Sequence, residues 1–180
     1  MSGEPYLASE DSALLRRALK GRSGERCLEI GAGNGGNVVA LSGKFRLVVG
    51  TDLVRPSMGD WREAGANLIL ADGASCIRSR VFDLVAFNPP YLRGEVEDRA
   101  VDGGSQLDVP KRFLREALRV AKKDGEVVFI LSDGADWREF REICEEAGFA
   151  LRPLASERVF FEELTVFSAK AEPPRPPWGS

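Results

Sequence analysis

Between residues 9 and 170 the chain alternates between short apolar runs rich in β-branched residues and longer stretches whose apolar residues recur every three or four positions. The runs lie at 26–30, 46–51, 67–71, 82–87, 126–131, 149–154 and 159–169, and their length and composition predict strands. Two of the intervening stretches carry a clear helical period. Residues 107–123 place Leu107, Leu114, Leu118 and Ala121 on one face, with Asp124-Gly125 as the stop. Residues 135–147 place Trp137, Phe140 and Ile143 on one face, with Ser132 or Asp133 as cap and Gly148 as the end.

Alternation of strand and helix predicts a parallel sheet covered on both faces. The last two runs have no helix between them, so they predict an antiparallel hairpin at one side. The expected fold is α/β: a doubly wound, mostly parallel seven-stranded sheet of Rossmann-like form with an antiparallel C-terminal hairpin. Residues 1–170 read as one domain. The tail 171–180 has four prolines and no hydrophobic period, so it is expected to be disordered.

Composition narrows the chemistry mainly by what it lacks. The 180 residues contain no histidine, which removes Ser-His and Cys-His nucleophiles and every histidine-bearing metal site. Carboxylates alone could still hold a metal, but no EF-hand spacing occurs, and no metal is expected. Cys27, Cys76 and Cys144 form no CxxC pair and sit among apolar neighbours, so all three read as buried thiols. A net charge of −3 offers nucleic acid no overall basic field. No apolar run approaches the roughly 20 residues that span a bilayer, and residues 1–12 lack the apolar core of a signal peptide. The cytoplasm is the expected compartment.

The first strand runs into Glu29-Ile-Gly31-Ala-Gly33-Asn-Gly35-Gly36 and then a helix from about Asn37 to Leu41. Glycines serve where a turn takes positive φ or where backbone must approach a ligand. Gly31, Gly33 and Gly36 satisfy GxGxxG, and Asp52 follows about 20 residues on, where a carboxylate can accept two ribose hydroxyls. A dinucleotide, S-adenosylmethionine (SAM), or a tight turn with no ligand would each account for this pattern. Glu29 favours SAM: an acid before the loop can face the ammonium group of methionine, whereas a dinucleotide loop receives an anionic pyrophosphate.

The fourth strand ends in Asn88-Pro89-Pro90-Tyr91. The two prolines end the strand and stiffen the loop, and their carbonyls stay free to accept hydrogen bonds. A planar, conjugated NH2 group is a poor nucleophile because its lone pair is delocalised. The Asn88 side chain and the Pro89 carbonyl could hold its two hydrogens, orienting the nitrogen for in-line attack on a sulfonium methyl and favouring the charge that develops on it. Tyr91 could stack on the planar group. No histidine or lysine base is needed. A proline-capped strand end, with Asn88 serving only a turn, is the plainer alternative.

Glu29–Gly35, Asp52, Asp72 and Asn88–Tyr91, in this order and spacing, resemble class I SAM-dependent methyltransferases of the HemK type. The short chain is similar to the archaeal and eukaryotic branch, which methylates the glutamine of the Gly-Gly-Gln motif in class-1 translation release factors. Tyr6-Leu-Ala-Ser-Glu10-Asp11-Ser12 resembles the N-terminal element of that branch, with Ala8 where a proline is usual. Glu157-Arg-Val-Phe-Phe-Glu162-Glu-Leu164 resembles its final hairpin. The likeness covers roughly residues 5–170.

The resemblance implies that Ser12, Glu29, Gly31, Gly33, Asp52, Asp72, Gly73 and Asn88 contact SAM, with Asp72 on the adenine amino group. It implies that Asn88, the Pro89 carbonyl and Tyr91 hold the target amide. Residues 92–106 match only in part, and Asp102-Gly103-Gly104 is expected either to shape the substrate entrance or to be a plain loop. Relatives in the short branch work with a small zinc-binding activator that pairs with a sheet edge. In the class I strand order that edge is 67–71, whose Leu68-Ile69-Leu70 is apolar throughout, and an exposed apolar edge is a liability unless something covers it. The partners expected are therefore a class-1 release factor and such an activator, with no membrane. The alternative activity is adenine-N6 methylation of DNA or RNA, whose amine is chemically similar. Base-flipping enzymes usually add basic strand contacts, which an acidic chain of this length does not display. A non-catalytic SAM-binding scaffold is the third class; it would tolerate decay of the site, yet Glu29, Asp52, Asp72 and the whole Asn-Pro-Pro-Tyr segment are present.

Overall fold

Seven strands pair in the order β3-β2-β1-β4-β5-β7-β6 in the computed structural model, which describes residues 10–55, 61, 64–89, 108–133, 135–159 and 162–171. The described elements are α1 (Glu10–Ala18), β1 (Gly24–Ile30), α2 (Gly36–Leu41), β2 (Phe45–Asp52), β3 (Asn67–Leu70), β4 (Phe82–Phe87), α3 (Asp108–Val120), β5 (Ala121–Ser132), α4 (Trp137–Glu146), β6 (Phe149–Val159) and β7 (Glu162–Ala171). Strands β1 to β5 run parallel, while β7 lies antiparallel between β5 and β6. The predicted sheet, its direction and its closing hairpin are all present. The expected tail and the Asp102-Gly103-Gly104 segment lie outside the described residues.

Strand alternation sorts the core into two layers. In β4, Val85 and Phe87 face α3 and α4, while Leu84 and Ala86 face α1 and α2. β1 follows the same rule: Leu28 and Ile30 join the first layer and Cys27 the second. Glu29, two residues from Cys27, therefore emerges on the α1/α2 side of the sheet. Phe87, Phe129 and Phe167 stack across neighbouring strands, with Phe87 and Phe129 ring centres 5.0 Å apart.

Three expectations need correction. The helix predicted over 107–123 ends at Val120, and Ala121 already pairs with Phe82 of β4. The register then shifts before Glu126 meets Leu84, so Asp124-Gly125 sits in an irregularity of the strand instead of ending a helix. The cap of α4 is Asp136, whose carboxylate accepts the Arg138 amide at 3.0 Å, and not Ser132 or Asp133. Ser132 is still paired in β5, so the chain cannot turn into a helix there. Trp137 accordingly begins the helix on its outer side, 42% exposed beneath the Arg141 guanidinium. Cys27 and Cys144 are buried as expected, but Cys76 is exposed, because the segment after β3 runs over the surface as turns.

β3 forms one edge of the sheet, as expected. Leu68 and Ile69 are half-buried against the two core layers, while Leu70 is 57% exposed. No helix among the described residues is long and apolar enough to cross a membrane.

Candidate active site

The carboxyl ends of β1, β2, β3 and β4 open onto one cavity of about 730 Å³. Ligands bind at this end of doubly wound sheets because the strands diverge there into loops whose amide groups are free. Ser12 enters the wall from α1, Glu29, Gly31 and Gly33 from the β1 turn, and Asp52 from the end of β2. Asp72 and Gly73 follow β3, and Asn88 and Pro89 follow β4. Residues far apart in the chain, singled out from sequence, are thus brought to one place. Tyr91 lies outside the described residues.

The glycine loop owes its shape to two neighbours. Asp52 ties it to β2: its carboxylate accepts the Gly33 amide at 2.7 Å and the Val54 amide at 2.9 Å. Trp61, fully buried, packs against Gly35 and Gly50 and donates its indole N–H to the Asn34 carbonyl at 3.1 Å. At Gly35 a side chain would overlap that ring, and its φ of 81° is one that other residues adopt only at a cost.

Glu29 is 3% exposed. Its Oε1 accepts the side-chain amide of Asn37 at 2.7 Å, while Oε2 has no hydrogen-bond partner among the described residues. Burial pushes its carboxyl up to about 7, against the downward pull of the Asn37 amide, the Val38 backbone N–H and Arg16; Asp52 adds a smaller upward push. Such a group is held in a costly state until a cation arrives. Asn88 Oδ1 is also buried without a partner among the described residues. Thr51 Oγ1 shares that condition but lies outside the cavity wall.

Helix α3 braces the other side of the cavity through three polar residues. Arg112 donates to Asp72 at 2.7 Å and holds that carboxyl below its usual range, with burial opposing. Glu116 accepts the Ala74 amide, and Arg119 donates to the Ile77 and Ala74 carbonyls at 2.6 and 2.7 Å. Gly73 takes a φ of 60°, which other residues adopt only at a cost, and a side chain there would push the Glu116 carboxylate aside. Sequence reading passed over Arg112, Glu116 and Arg119, although their spacing of four and three marks a polar stripe along one helix face. It also passed over Arg16, Asn37 and Trp61, whose roles exist only through contacts between distant segments.

The cavity is therefore lined by Glu29, three further acids and Asn88, and Glu29 and Asn88 each have a buried oxygen without a partner among the described residues. Asp52, with four lone-pair sites and two amide donors, can still accept from hydroxyls, and Asp72 retains Oδ2. The donor set suits a ligand with a cation at one end, a ribose in the middle and an exocyclic amine at the other.

No protein-family model matches the chain. A Methanocaldococcus jannaschii protein assigned as a protein N5-glutamine methyltransferase is 30% identical to it, over 92% of this chain and 91% of that one. Among solved structures, the E. cuniculi Mtq2–Trm112 complex, responsible for methylating the translation termination factor eRF1, superimposes with a TM-score of 0.72 at 26% identity. That match covers 94% of this chain and 98% of the other. The T. thermophilus 16S rRNA N2 G1207 methyltransferase, solved with S-adenosylmethionine and guanosine, shares the fold with a TM-score of 0.69 at 22% identity, over 95% of this chain and 44% of its own length. Strand order and overall fold are those of a class I SAM-dependent methyltransferase. Within that class, the chain belongs to the protein N5-glutamine methyltransferase family.

Proposed function

We propose that the chain transfers a methyl group from SAM to the side-chain amide nitrogen of the glutamine in the Gly-Gly-Gln motif of a class-1 translation release factor. The observation that carries this reading is that Glu29 and Asn88, each with a buried side-chain oxygen that has no hydrogen-bond partner among the described residues, line one cavity. SAM, when bound, supplies an electrophilic methyl group on a sulfonium sulfur. Glu29 receives its ammonium group and Asp52 the ribose hydroxyls, while the free oxygen of Asp72 receives the adenine amine. Ser12, Gly31, Gly33 and Gly73 complete the cofactor's surroundings. Asn88 and the Pro89 carbonyl hold the two amide hydrogens of the glutamine, with Tyr91 against its planar face. This placement would direct the nitrogen lone pair at the methyl group and stabilise the positive charge that grows there. As the N–C bond forms the methyl–sulfur bond breaks, S-adenosylhomocysteine leaves, and the nitrogen gives up one of its two protons to solvent. The chain is proposed to work in the cytoplasm, where a release factor would be met, with residues 1–170 as one domain.

Mass spectrometry of a class-1 release factor, incubated with the chain, SAM and an activator protein, tests the assignment. The expected result is a gain of one CH2 group on the Gly-Gly-Gln glutamine. No gain, with SAM binding intact, moves the acceptor to adenine.

The activator is proposed to be a small zinc-binding protein that pairs with β3. The Mtq2–Trm112 assembly supports a small partner, and the exposed apolar edge at Leu70 supports its position. A lysine at Leu70 would set an ammonium group in that interface. Leu70→Lys is expected to weaken assembly about 30-fold or more, consistent with loss of an interface anchor worth about 2 kcal/mol. Sedimentation of the mixed proteins measures it, and undiminished assembly would place the partner elsewhere.

A further inference from the structure

Four acids line the cavity: Asp11, Glu29, Asp52 and Asp72. They face two cations, Arg16 and Arg112. The balance is negative, so a ligand that brings its own carboxylate into this space needs a dedicated cation. Arg112 is committed to Asp72, at the end of β3, two strands away from Glu29 in the sheet. Among the described residues no carboxylate pairs with Arg16.

Arg16 stands instead at one end of a short relay. Its Nε donates to Asn37 Oδ1 at 3.3 Å, and the Nδ2 of the same amide donates to Glu29 Oε1 at 2.7 Å. Asn37 is 4% exposed, so its buried amide uses its oxygen on the cation and its nitrogen on the anion. The guanidinium passes over Gly36, where any side chain would occupy its place. Both charges are thereby held to one amide, and Arg16, Asn37 and Glu29 all line the cavity.

An acid and a cation joined through one amide suit an α-amino acid. Its ammonium and carboxylate share one carbon, so a receptor for it must present an acid and a base side by side. Glu29 supplies the acid. A guanidinium can bind a carboxylate through two parallel N–H groups, which makes arginine well suited to the other half.

We propose that Arg16 receives the carboxylate at the methionine end of SAM, so that Arg16, Asn37 and Glu29 form a receptor selective for the intact amino-acid zwitterion. The inference rests on the cofactor reading above and assigns a residue that neither the glycine loop nor the Asn-Pro-Pro-Tyr segment contains.

Decarboxylated SAM isolates the question, because it keeps the sulfonium, adenosine and ammonium groups and lacks only the carboxylate. Calorimetric titration of the full chain at about pH 8.5, where Glu29 is ionised, compares the two ligands. The unaltered protein is expected to prefer SAM by about tenfold or more, as the loss of a charge-assisted hydrogen bond implies. Arg16→Met is expected to remove the preference while leaving the affinity for decarboxylated SAM within about threefold, below the effect of one such bond. Arg16→Lys, which keeps the charge without the fork, is expected to keep part of the preference and also covers the case in which the methionine variant fails to fold. Equal binding of both ligands to the unaltered protein overturns the inference, as does a variant that loses both affinities equally. Absence of binding by either ligand overturns the cofactor reading and this inference together.

Discussion

Asn88→Ala is expected to lower turnover about 100- to 1,000-fold while SAM binds within about threefold of its original affinity. An amide nitrogen has almost no nucleophilicity until its hydrogens are fixed and the charge that develops on it is met by an acceptor. Asn88 offers a buried oxygen, without a partner among the described residues, for that purpose. Preorganised acceptors in a dry site act on the transition state more than on the bound ground state, so the loss falls on kcat and little on KM. SAM affinity survives because most of its proposed contacts, at Glu29, Asp52 and Asp72, belong to other strands. Single-turnover methylation alongside a SAM titration separates the two quantities. Unchanged turnover would remove Asn88 from the chemistry and return the tetrapeptide to the role of a strand terminator.

Glu29→Gln is expected to weaken SAM binding about 10- to 100-fold at pH 8 and to flatten the pH dependence of both binding and stability. The carboxyl rises from 4.5 to about 7 on folding. Between those values the folded chain retains a proton that the unfolded chain has released. Stability therefore falls as pH rises through that window and is level above it, by an amount on the order of 3 kcal/mol. Glutamine does not titrate, so this slope should vanish from the melting temperature of the ligand-free variant. Binding runs the other way. An ammonium group needs the ionised form, so SAM affinity should drop by up to about tenfold per pH unit below 7 in the unaltered protein and stay flat in the variant. Thermal unfolding with and without SAM, from pH 5 to pH 8, reads both slopes. A variant retaining the original pH dependence would assign it to another group.

These two predictions draw on both levels of description. The fold was legible in the chain because its signals are local and repeated. Strands β1, β2, β4, β5 and β7 bury apolar residues on both faces, and glycines or prolines follow several of them within a few positions, so period and punctuation agree. The exceptions occur where a pairing partner overrides local preference. Val120-Ala121 continues a helical pattern, yet Phe82 of β4 captures Ala121 into the sheet. Ser132 is an acceptable cap by composition, but β7 holds it in the ladder, and the cap passes to Asp136.

The site divides along the same line. Glu29, Gly31, Asp52 and Asn88 could be named because each sits at a strand end whose residue types are restricted by the turn that follows, and those restrictions are written in adjacent letters. Arg16, Asn37, Trp61 and Arg112 could not. Arg16 is one of two arginines in a short amphipathic helix, and nothing beside it in the chain distinguishes it from Arg17, which instead pairs with Glu157 on the surface. Only the packing of α1 against α2 aims one toward Asn37 and leaves the other outside. Trp61 reads as an ordinary core aromatic until Gly35 and Gly50, from separate elements, leave the space it fills. The sequence by itself determined the sheet, the glycine turn and the identity of the acids and amide at the strand ends, because these follow from neighbours in the chain. The ionisation of Glu29, the partner of Asp72 and the cation beside the glycine loop were decided by the tertiary structure, because burial and charge pairing depend on groups that meet only when the chain is folded.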